Sequence, residues 1–595
     1  MSKTAHFIYR MILSLFAVGL ALTQPTAMLA QATAGPEPQP AQSEQRGYSL
    51  GRVKPLKVKR VGIDVDNLVY ISLHEAILKA LENNNDIQVQ RNNVKISELA
   101  IRGLKGFYDP VFAVGNPTPV TTGATGGAPT GSTGSSPGFG YESRTTPVAS
   151  RLQAGRDPDA SKTKTLTYNF GLGQALPTGG SWQVAFSNQR STTNSIFSTL
   201  NPQYFTTLSI DFNQPLLRNY RMNQTEQQIR VAQKALDLSD SQFRQRVIEI
   251  ITQVQKAYYD LVFAIRNVEI MQESVDLAKT QHENNQKQVE AGTLAPLELH
   301  QSLAEIERRN QDLIVATAAV TTAENTLKGM ILPNLKDTLW RANIVPTENI
   351  EFLPPSIDEE SALNLALQNR PELQQLKLQR DQNDINIKFF VNQTKPQLSF
   401  VTRYASFGVA GTEAPPIPGF PFGSGSVSPQ FVGGPGQAIG NAFRNRYRDV
   451  AVGLSFSFPL KNQTAESNLG QAKARARSID FQEQQLMQQI AIETRNAVQN
   501  LESARQTIEA ARAARIAREK QLEGEKERFD AGMSTNYLML QYQNQLSWAR
   551  GSELQALVSY NKAIAELQRV MATTLTTHNI QISAMEENNS PKTTR

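Results

Sequence analysis

With 595 residues, 39% of them apolar and 19% charged, and with 36 Gly and 30 Pro, the chain reads as ordered protein carrying long loops, not as a wholly disordered one. The 60 Lys and Arg against 54 Asp and Glu leave a formal charge of +6, too small to call for nucleic acid as a partner. The absence of Cys excludes disulfides, thiolate-ligated zinc and iron–sulfur centres, a catalytic thiol and a lipid anchor on Cys.

The N-terminus has the layout of an export signal. Lys3 and Arg10 precede an apolar run from Met11 to Leu22, and Ala30-Gln31-Ala32 or Ala32-Thr33-Ala34 supplies a small-x-small cleavage site. We place the signal at 1–32 and a polar, Pro-rich segment at 33–70. The apolar run falls short of the roughly 20 residues that a spanning helix needs, and no later stretch reaches that length. Any insertion into a membrane must therefore use strands.

The rest of the chain repeats itself. Ala80-Leu81-Glu82-Asn83 recurs as Ala366-Leu367-Gln368-Asn369, and at the same offset Ala76 matches Ala362, Pro110 matches Pro396, and the cap residue Ser72 matches Asp358. Further on, Gln214-Pro215-Leu216 pairs with Phe458-Pro459-Leu460 and Ala291-Gly292 with Ala531-Gly532. The repeats are expected at 71–332 and 358–571, joined by a connector at 333–357 and followed by a polar tail at 572–595. From Pro110 to Pro215 the first repeat is about 42 residues longer than the second is from Pro396 to Pro459.

Each repeat opens with a helix, about Ser72 to Phe107 and about Asp358 to Thr394. Strands follow, where the apolar period falls to 2. Leu166, Tyr168, Phe170 and Leu172 alternate with polar or small residues, as do Trp182, Val184 and Phe186, then Leu208, Ile210 and Phe212. In the second repeat Leu398 and Phe400 begin one strand, and Val450, Val452, Leu454, Phe456 and Phe458 form one face of another. Tyr168, Trp182, Tyr204, Tyr404 and Tyr447 are candidates for aromatic girdles. Asn116 to Ala160 and Ser406 to Asn441 read as long surface loops, and Leu176-Pro177-Thr178-Gly179-Gly180 as a tight turn. The second repeat offers two strands and the first two or four. So few cannot close a barrel, and open edges are not tolerated in lipid, so several copies must share one.

Pro215 and Pro459 mark the elbows from strand to helix. From Leu216 to Ala291 there is neither Pro nor Gly, which predicts a helix of roughly 76 residues and 114 Å. Within it Val247, Ile251, Val254, Tyr258, Leu261, Ile265 and Val268 step as a heptad seam. Lys461 to Ala531, free of Pro, carries a smaller seam through Ile490, Ala497, Leu501, Ala504, Ile508 and Ala511. Ala-Gly then ends each long helix, the Gly supplying the left-handed residue that lets it reverse. Return helices run from about Leu297 to Leu332 and from about Asn536 to Met571. The opening and return helices together match the long one in length, so they should stack end to end beside it. Their junction should lie midway, where the connector and the C-terminal tail would meet it.

Helix, strands, very long helix, Ala-Gly reversal and return helix, duplicated after an export signal, resemble the TolC-like outer-membrane efflux protein family over roughly Ser72 to Met571. The sharpest local match is the pair of tips Gln288-Val289-Glu290-Ala291-Gly292 and Glu527-Arg528-Phe529-Asp530-Ala531-Gly532. The resemblance implies a mixed, mainly α fold, with coiled-coil helices forming an α-helical barrel and hairpins contributing to a transmembrane β-barrel shared by a homotrimer. It implies an outer-membrane location with a periplasmic tunnel, a periplasmic adaptor and an inner-membrane pump as partners, outer-membrane lipid around the barrel, and transport without enzymatic activity or cofactor. Adaptor contact would fall on Ala291, Gly292, Thr293 and Leu294 and on Ala531, Gly532, Met533 and Ser534. Some relatives close the entrance with Asp six and nine residues after the second tip glycine. Leu538 and Gln541 stand there in this chain, so that acidic ring does not carry over, and Glu298 and Gln541 remain the candidates for lining the entrance.

The other motifs carry no chemistry. His6, His74, His282, His300 and His578 have no metal-ligand spacing, and Gly171-Leu172-Gly173 lacks the third glycine of a dinucleotide site. The basic stretch Arg505 to Arg528 suits an exposed helix face, and Met533 and Met539 suit plastic packing. The competing reading is a periplasmic coiled-coil scaffold or adaptor with a water-soluble β-domain. It would need one hairpin, whereas this chain has two equivalent ones.

Overall fold

A computed structural model describes residues 49–50, 53–56, 58–115, 138–148, 160–348, 350–351, 358–415 and 427–582. The export signal expected at 1–32 lies outside them. All described residues belong to one unit, Ser49–Arg595. The segment before the first repeat carries β1 (Ser49–Leu50) and β2 (Asp64–Ile71), and the repeat runs α1 (Leu73–Asn83), α2 (Asn85–Lys105), β3 (Val111–Val114), β4 (Phe139–Pro147), β5 (Ala160–Ala175), β6 (Ser181–Thr193), β7 (Leu200–Pro215), α3 (Gln224–Glu290) and α4 (Leu297–Ile331). The connector carries β8 (Ala342–Pro346) and β9 (Ile350–Glu351). The second repeat runs α5 (Glu359–Asn369), α6 (Pro371–Gln393), β10 (Gln397–Glu413), α7 (Pro435–Phe443), β11 (Tyr447–Ser457), α8 (Gln463–Asp530), α9 (Asn536–Val570) and α10 (Thr574–Thr577).

The opening helices differ from the sequence expectation, because each is broken in two. Asn84 takes an extended backbone (φ −65°, ψ 123°) that ends α1, and its side chain caps α2 by accepting from Asp86 N. Arg370 breaks the helix in the same extended conformation between α5 and α6 (φ −63°, ψ 122°), with Pro371 in the first turn of the new helix in place of a side-chain cap. The breaks serve the junction. Asn83 Nδ2 and Asn84 Nδ2 donate to Ile331 O and Met330 O at 3.1 and 3.2 Å, and Arg370 Nε donates to Val570 O at 2.9 Å. Carbonyls orphaned at the ends of the return helices α4 and α9 are thus satisfied where α2 and α6 take over. It is α2 and α6, not the whole opening segments, that continue the return helices.

The long helices α3 and α8 have 67 and 68 residues, roughly 100 Å each. The first starts at Gln224, later than Leu216, because Asn219 and Arg221 have φ of 68° and 55° and turn the chain out of the strand. All seven residues of its heptad seam are between 0 and 3% exposed. In α8, Ile490, Ala497, Leu501 and Ile508 are buried, while Ala504 and Ala511 are half-buried.

Midway along α3 the connector and the C-terminal segment both dock. Tyr258 Oη donates to Ile71 O at 3.2 Å and accepts from Glu348 N, and Gln255 Nε2 meets His578 Nε2 at 2.6 Å. Beside them Arg60 and Lys328 flank Glu324 at 2.5 and 2.9 Å, and Ile344 N donates to the same carboxylate. Burial pushes the Lys328 ammonium down, while Glu324 supports its charge. The cluster pins the connector to α4, and β2 runs parallel to β8 alongside.

The strands form one antiparallel sheet in the order β11-β10-β7-β6-β5-β3, and β4 pairs with β5 beyond β3 in the same lane. The first repeat therefore supplies four lanes and the second two. Two expected loops hold structure: β4 occupies part of Asn116–Ala160, and β10 and α7 occupy much of Ser406–Asn441. Small residues explain the second case. A Cβ on Gly408 would come within 1.9 Å of Ala438 O, so glycine is what lets α7 lie directly on β10. The stretches 116–137 and 149–159 lie outside the described residues.

Candidate functional site

The pairing register fixes which side chains share a face of the sheet. Phe112, Leu172, Val184, Ile210, Tyr404 and Val450 lie in one row from lane to lane. With Phe139, Tyr141, Leu166, Phe170, Trp182, Phe212, Phe400, Val452, Leu454 and Phe456 they make an apolar face. Val452, Leu454 and Phe456 are 65–67% exposed. The opposite face carries Thr165, Thr167, Ser187, Gln189, Thr207, Ser209, Asp211, Asn213 and Arg403. Two clefts open on this polar side, which is the hollow side of the sheet. Two ion pairs lie on it, Arg144 with Glu142 at 3.6 Å and Arg403 with Asp211 at 3.8 Å. Apolar outside and polar within is the arrangement of a strand wall between lipid and water. Of the five girdle candidates, Tyr168, Trp182, Tyr204 and Tyr404 have the apolar parity; Tyr447, opposite Phe407, has the polar one.

Pro215 closes β7, and Leu216 N donates to Leu398 O across the lane at 2.7 Å. Asn392 Oδ1 accepts from Asn219 N at 2.6 Å, and Thr178 O from Arg221 N at 3.1 Å, so α6 and the turn between β5 and β6 both brace this elbow. Pro459 sits just past β11, before α8.

At the far end each hairpin turns through Gly292 and Gly532, both with φ 75°. Thr293 N donates to Gln288 O and Met533 N to Arg528 O, the paired bonds that close a helix on a left-handed glycine. Ala291, Gly292, Thr293, Ala531, Gly532 and Met533 are exposed, and Leu294 and Ser534 are half-buried. Ser534 Oγ donates to Glu525 Oε1 and ties the second turn back to α8. Leu297, Tyr537 and Met533 are 66, 67 and 76% exposed, so each tip presents apolar surface.

Behind the tips the hairpins are joined by polar side chains, of which the sequence singled out Glu298 alone. Asn536 Nδ2 donates to Glu298 Oε2 at 3.2 Å, and Gln281 Nε2 to Asn536 Oδ1 at 3.3 Å. Glu298 thus faces the second hairpin, and Gln541 is exposed. Further along, Glu305 accepts from Asn544 at 2.8 Å and from Arg308 and Arg309, while Arg309 reaches Gln543 at 3.4 Å. Burial raises the Glu305 pKa, but these donors outweigh it and hold the carboxyl at about 2. The spacing of Glu298, Glu305 and Arg309 along one face of α4 is the sequence signal that could have found this seam.

Among the described residues no group of three His, Cys, Asp or Glu is placed to hold a metal ion, and no helix is long and apolar enough to cross a membrane. His282 Nδ1 is instead hydrogen-bonded to Ser302 Oγ at 2.6 Å.

A sequence profile described as "Outer membrane efflux protein" matches residues 181–331 and 362–573. No curated protein sequence matches the chain. Among solved structures, a membrane protein from Pseudomonas aeruginosa superposes with a TM-score of 0.57 at 13% identity, covering 88% of this chain and 96% of that one. The Campylobacter jejuni CmeC outer membrane channel gives 0.56 at 14%, covering 94% and 99%. The open state of the Neisseria gonorrhoeae MtrE outer membrane channel gives 0.53 at 15%, covering 91% and 98%. At these identities the likeness is one of fold, a helical barrel joined to a β-barrel.

Proposed function

Because the chain belongs to the outer membrane efflux protein family, we propose that it is the outer-membrane duct of a tripartite efflux or type I secretion system. An inner-membrane pump would deliver cargo through a periplasmic adaptor, and this chain would conduct it passively to the exterior. The observation that carries the reading is the two-faced sheet with two free edges. Among the described residues β11 is bonded on one side only, and so are β3 and β4. Neither edge is tolerable in lipid, where every backbone group needs a partner. Three copies, each joining β11 to the β3/β4 lane of the next, satisfy both edges and close a ring of eighteen strands, wide enough for an aqueous lumen. The soluble-scaffold reading has no use for an exposed wall of Val452, Leu454 and Phe456.

The tips suit adaptor contact. Leu297, Met533 and Tyr537 are exposed apolar side chains on a periplasmic end that otherwise presents charge. Opening would part the two hairpins at the Glu298–Asn536 and Glu305–Asn544 contacts, which are weak enough to break and specific enough to reseal. We assign no energy-coupling step to this chain.

The test is the native mass of the chain extracted from outer membranes in mild detergent, followed by single-channel recording in planar bilayers. A trimer with stable conductance is the expected result. A monomer, or a chain missing from the outer-membrane fraction, would sink the duct.

A further inference from the structure

Among the described strand residues, the charges on the membrane-facing side of the sheet are all of one sign. Lys164, Arg190 and Arg448 share the parity of the apolar residues: Lys164 lies two residues from Leu166, Arg190 pairs with Leu166, and Arg448 pairs with Ser406 beside the row of Leu208 and Phe186. All three are exposed, and none is ion-paired among the described residues. The acidic residues of these strands go elsewhere. Glu142, Asp211 and Asp449 have the lumen-facing parity, and Glu413 stands at the outermost end of β10, where it accepts from Val427 N. Among the described residues, charges inside the wall are of both signs; outside they are basic.

Their height is as informative as their sign. Arg190 lies nine residues along β6 from Ser181, Arg448 nine residues along β11 from Ser457, and Lys164 eleven along β5 from Ala175, all counted from the periplasmic ends of the strands. Nine residues in a strand tilted by about 40° rise roughly 23 Å, close to the height of the apolar band of an outer-membrane barrel, about 25 Å. The three cations therefore reach the headgroups of the outer leaflet, and not those of the periplasmic one.

At the same height α7 lies on the membrane side of β10. Ser406 Oγ donates to Ala442 O at 2.6 Å, Asn441 Nδ2 to Val409 O at 3.0 Å, and the Phe443 ring meets Phe186 at 6.3 Å. A short amphipathic helix held flat against the wall suits the interface between acyl chains and headgroups. It hands on to Arg444 and Arg446, both exposed, with Gln430 Oε1 accepting from Arg446 Nη1 at 2.7 Å.

We propose that Lys164, Arg190, Arg444, Arg446 and Arg448 form a belt that binds the phosphate groups of the phosphorylated glycolipid of the outer leaflet. Guanidinium and ammonium groups would replace the divalent cations that otherwise bridge neighbouring headgroups, with Arg offering bidentate bonds to phosphate. Such a belt holds a ring of ordered lipid against the barrel, sealing the boundary between protein and leaflet. The proposal rests on the outer-membrane orientation of the sheet given above, with the helices in the periplasm.

The test uses the full chain purified from outer membranes, with bis-phosphorylated lipid A, its dephosphorylated form and phosphatidylglycerol as probes, read by native mass spectrometry. Phosphorylated lipid A should bind at least about ten-fold better than the dephosphorylated form, and the R190Q/R448Q pair should lose about ten-fold or more in that binding. Conductance of the variant should be unchanged, so that loss of the belt is distinguishable from loss of the channel. Equal retention of both forms of lipid A, or equal retention of phosphatidylglycerol, would overturn the assignment, as would unchanged binding by the variant. Should R190Q/R448Q fail to assemble, K164Q and the comparison of probes on the unmodified chain still decide the matter.

Discussion

The two repeats share a helical plan and differ in what their long helices bury. In α3 the seam from Val247 to Val268 is sealed by its own chain. In α8 the buried positions are fewer and smaller, and Phe481, Met487, Ile492 and Ile516 are 68, 41, 59 and 40% exposed. One helix is the core of the subunit, and the other leaves apolar side chains uncovered, as an interface with a neighbouring copy would need. A duplicated element need not keep a duplicated role: once one copy supplies the core, the second is free to supply the interface.

That contrast can be broken from either side. The largest effect is expected in α3, where Ile251→Ala should destabilise the subunit by about 2–5 kcal/mol, measured by denaturant unfolding in detergent. Ile492→Ala in α8 should leave subunit unfolding nearly unchanged and instead lower the temperature at which the oligomer dissociates on unheated gels. Equal effects of the two variants on unfolding would erase the distinction between core and interface.

The tips, where the repeats are most alike, sharpen the same comparison. Gly292→Val and Gly532→Val each force a β-branched residue to φ 75°, a strain of about 1–3 kcal/mol, while an added Cβ meets nothing within 4 Å. Export should weaken with membrane insertion intact, and full export by both variants would show that tip geometry is dispensable.

The smallest effect is electrostatic. The Glu305 pKa falls from its ordinary 4.5 to about 2 on folding, where Arg308 and Arg309 of its own helix and then Asn544 of the second hairpin outweigh burial, so its contribution to stability, the Asn544 contact included, is complete above about pH 4.5 and is lost as pH falls toward 2. Spin labels on the two hairpins should move apart over that window, and Glu305→Gln should flatten the response.

The features legible in the sequence were those set by period and by backbone geometry. The heptad seam of α3, the glycines at both tips and the alternating strands each follow from local rules that tertiary contacts do not override. The breaks at Asn84 and Arg370 were harder, since helical periodicity continues across them. Pro371 did mark the second, and its place in a first turn was the available clue. β4 and α7 were hidden because Gly, Ala and Ser look like loop composition until a close approach such as that of Ala438 to Gly408 explains them. The basic belt was legible only in part: Lys164 falls in step with Leu166 and Tyr168, but its match with Arg190 and Arg448 needs the register between strands. Of the seam between hairpins, the polar face of α4 at Glu298, Glu305 and Arg309 was open to a local reading, but its partners Asn536 and Asn544 lie far along the chain and no local pattern reports the pairing.

The hairpin of β5 and β6, which has no counterpart among the strands of the second repeat, also bears on circumference. Four helices of each subunit run into the sheet: α2 into β3, β7 into α3, α6 into β10 and β11 into α8. Side by side at about 8–10 Å, four helices take up roughly 32–40 Å of arc. Six strands about 4.8 Å apart, tilted by about 40°, take up roughly 37 Å, whereas four would take up only about 25 Å. Pipe and collar therefore meet at the same girth, and the wall passes from helix to strand without having to narrow at Pro215 and Pro459.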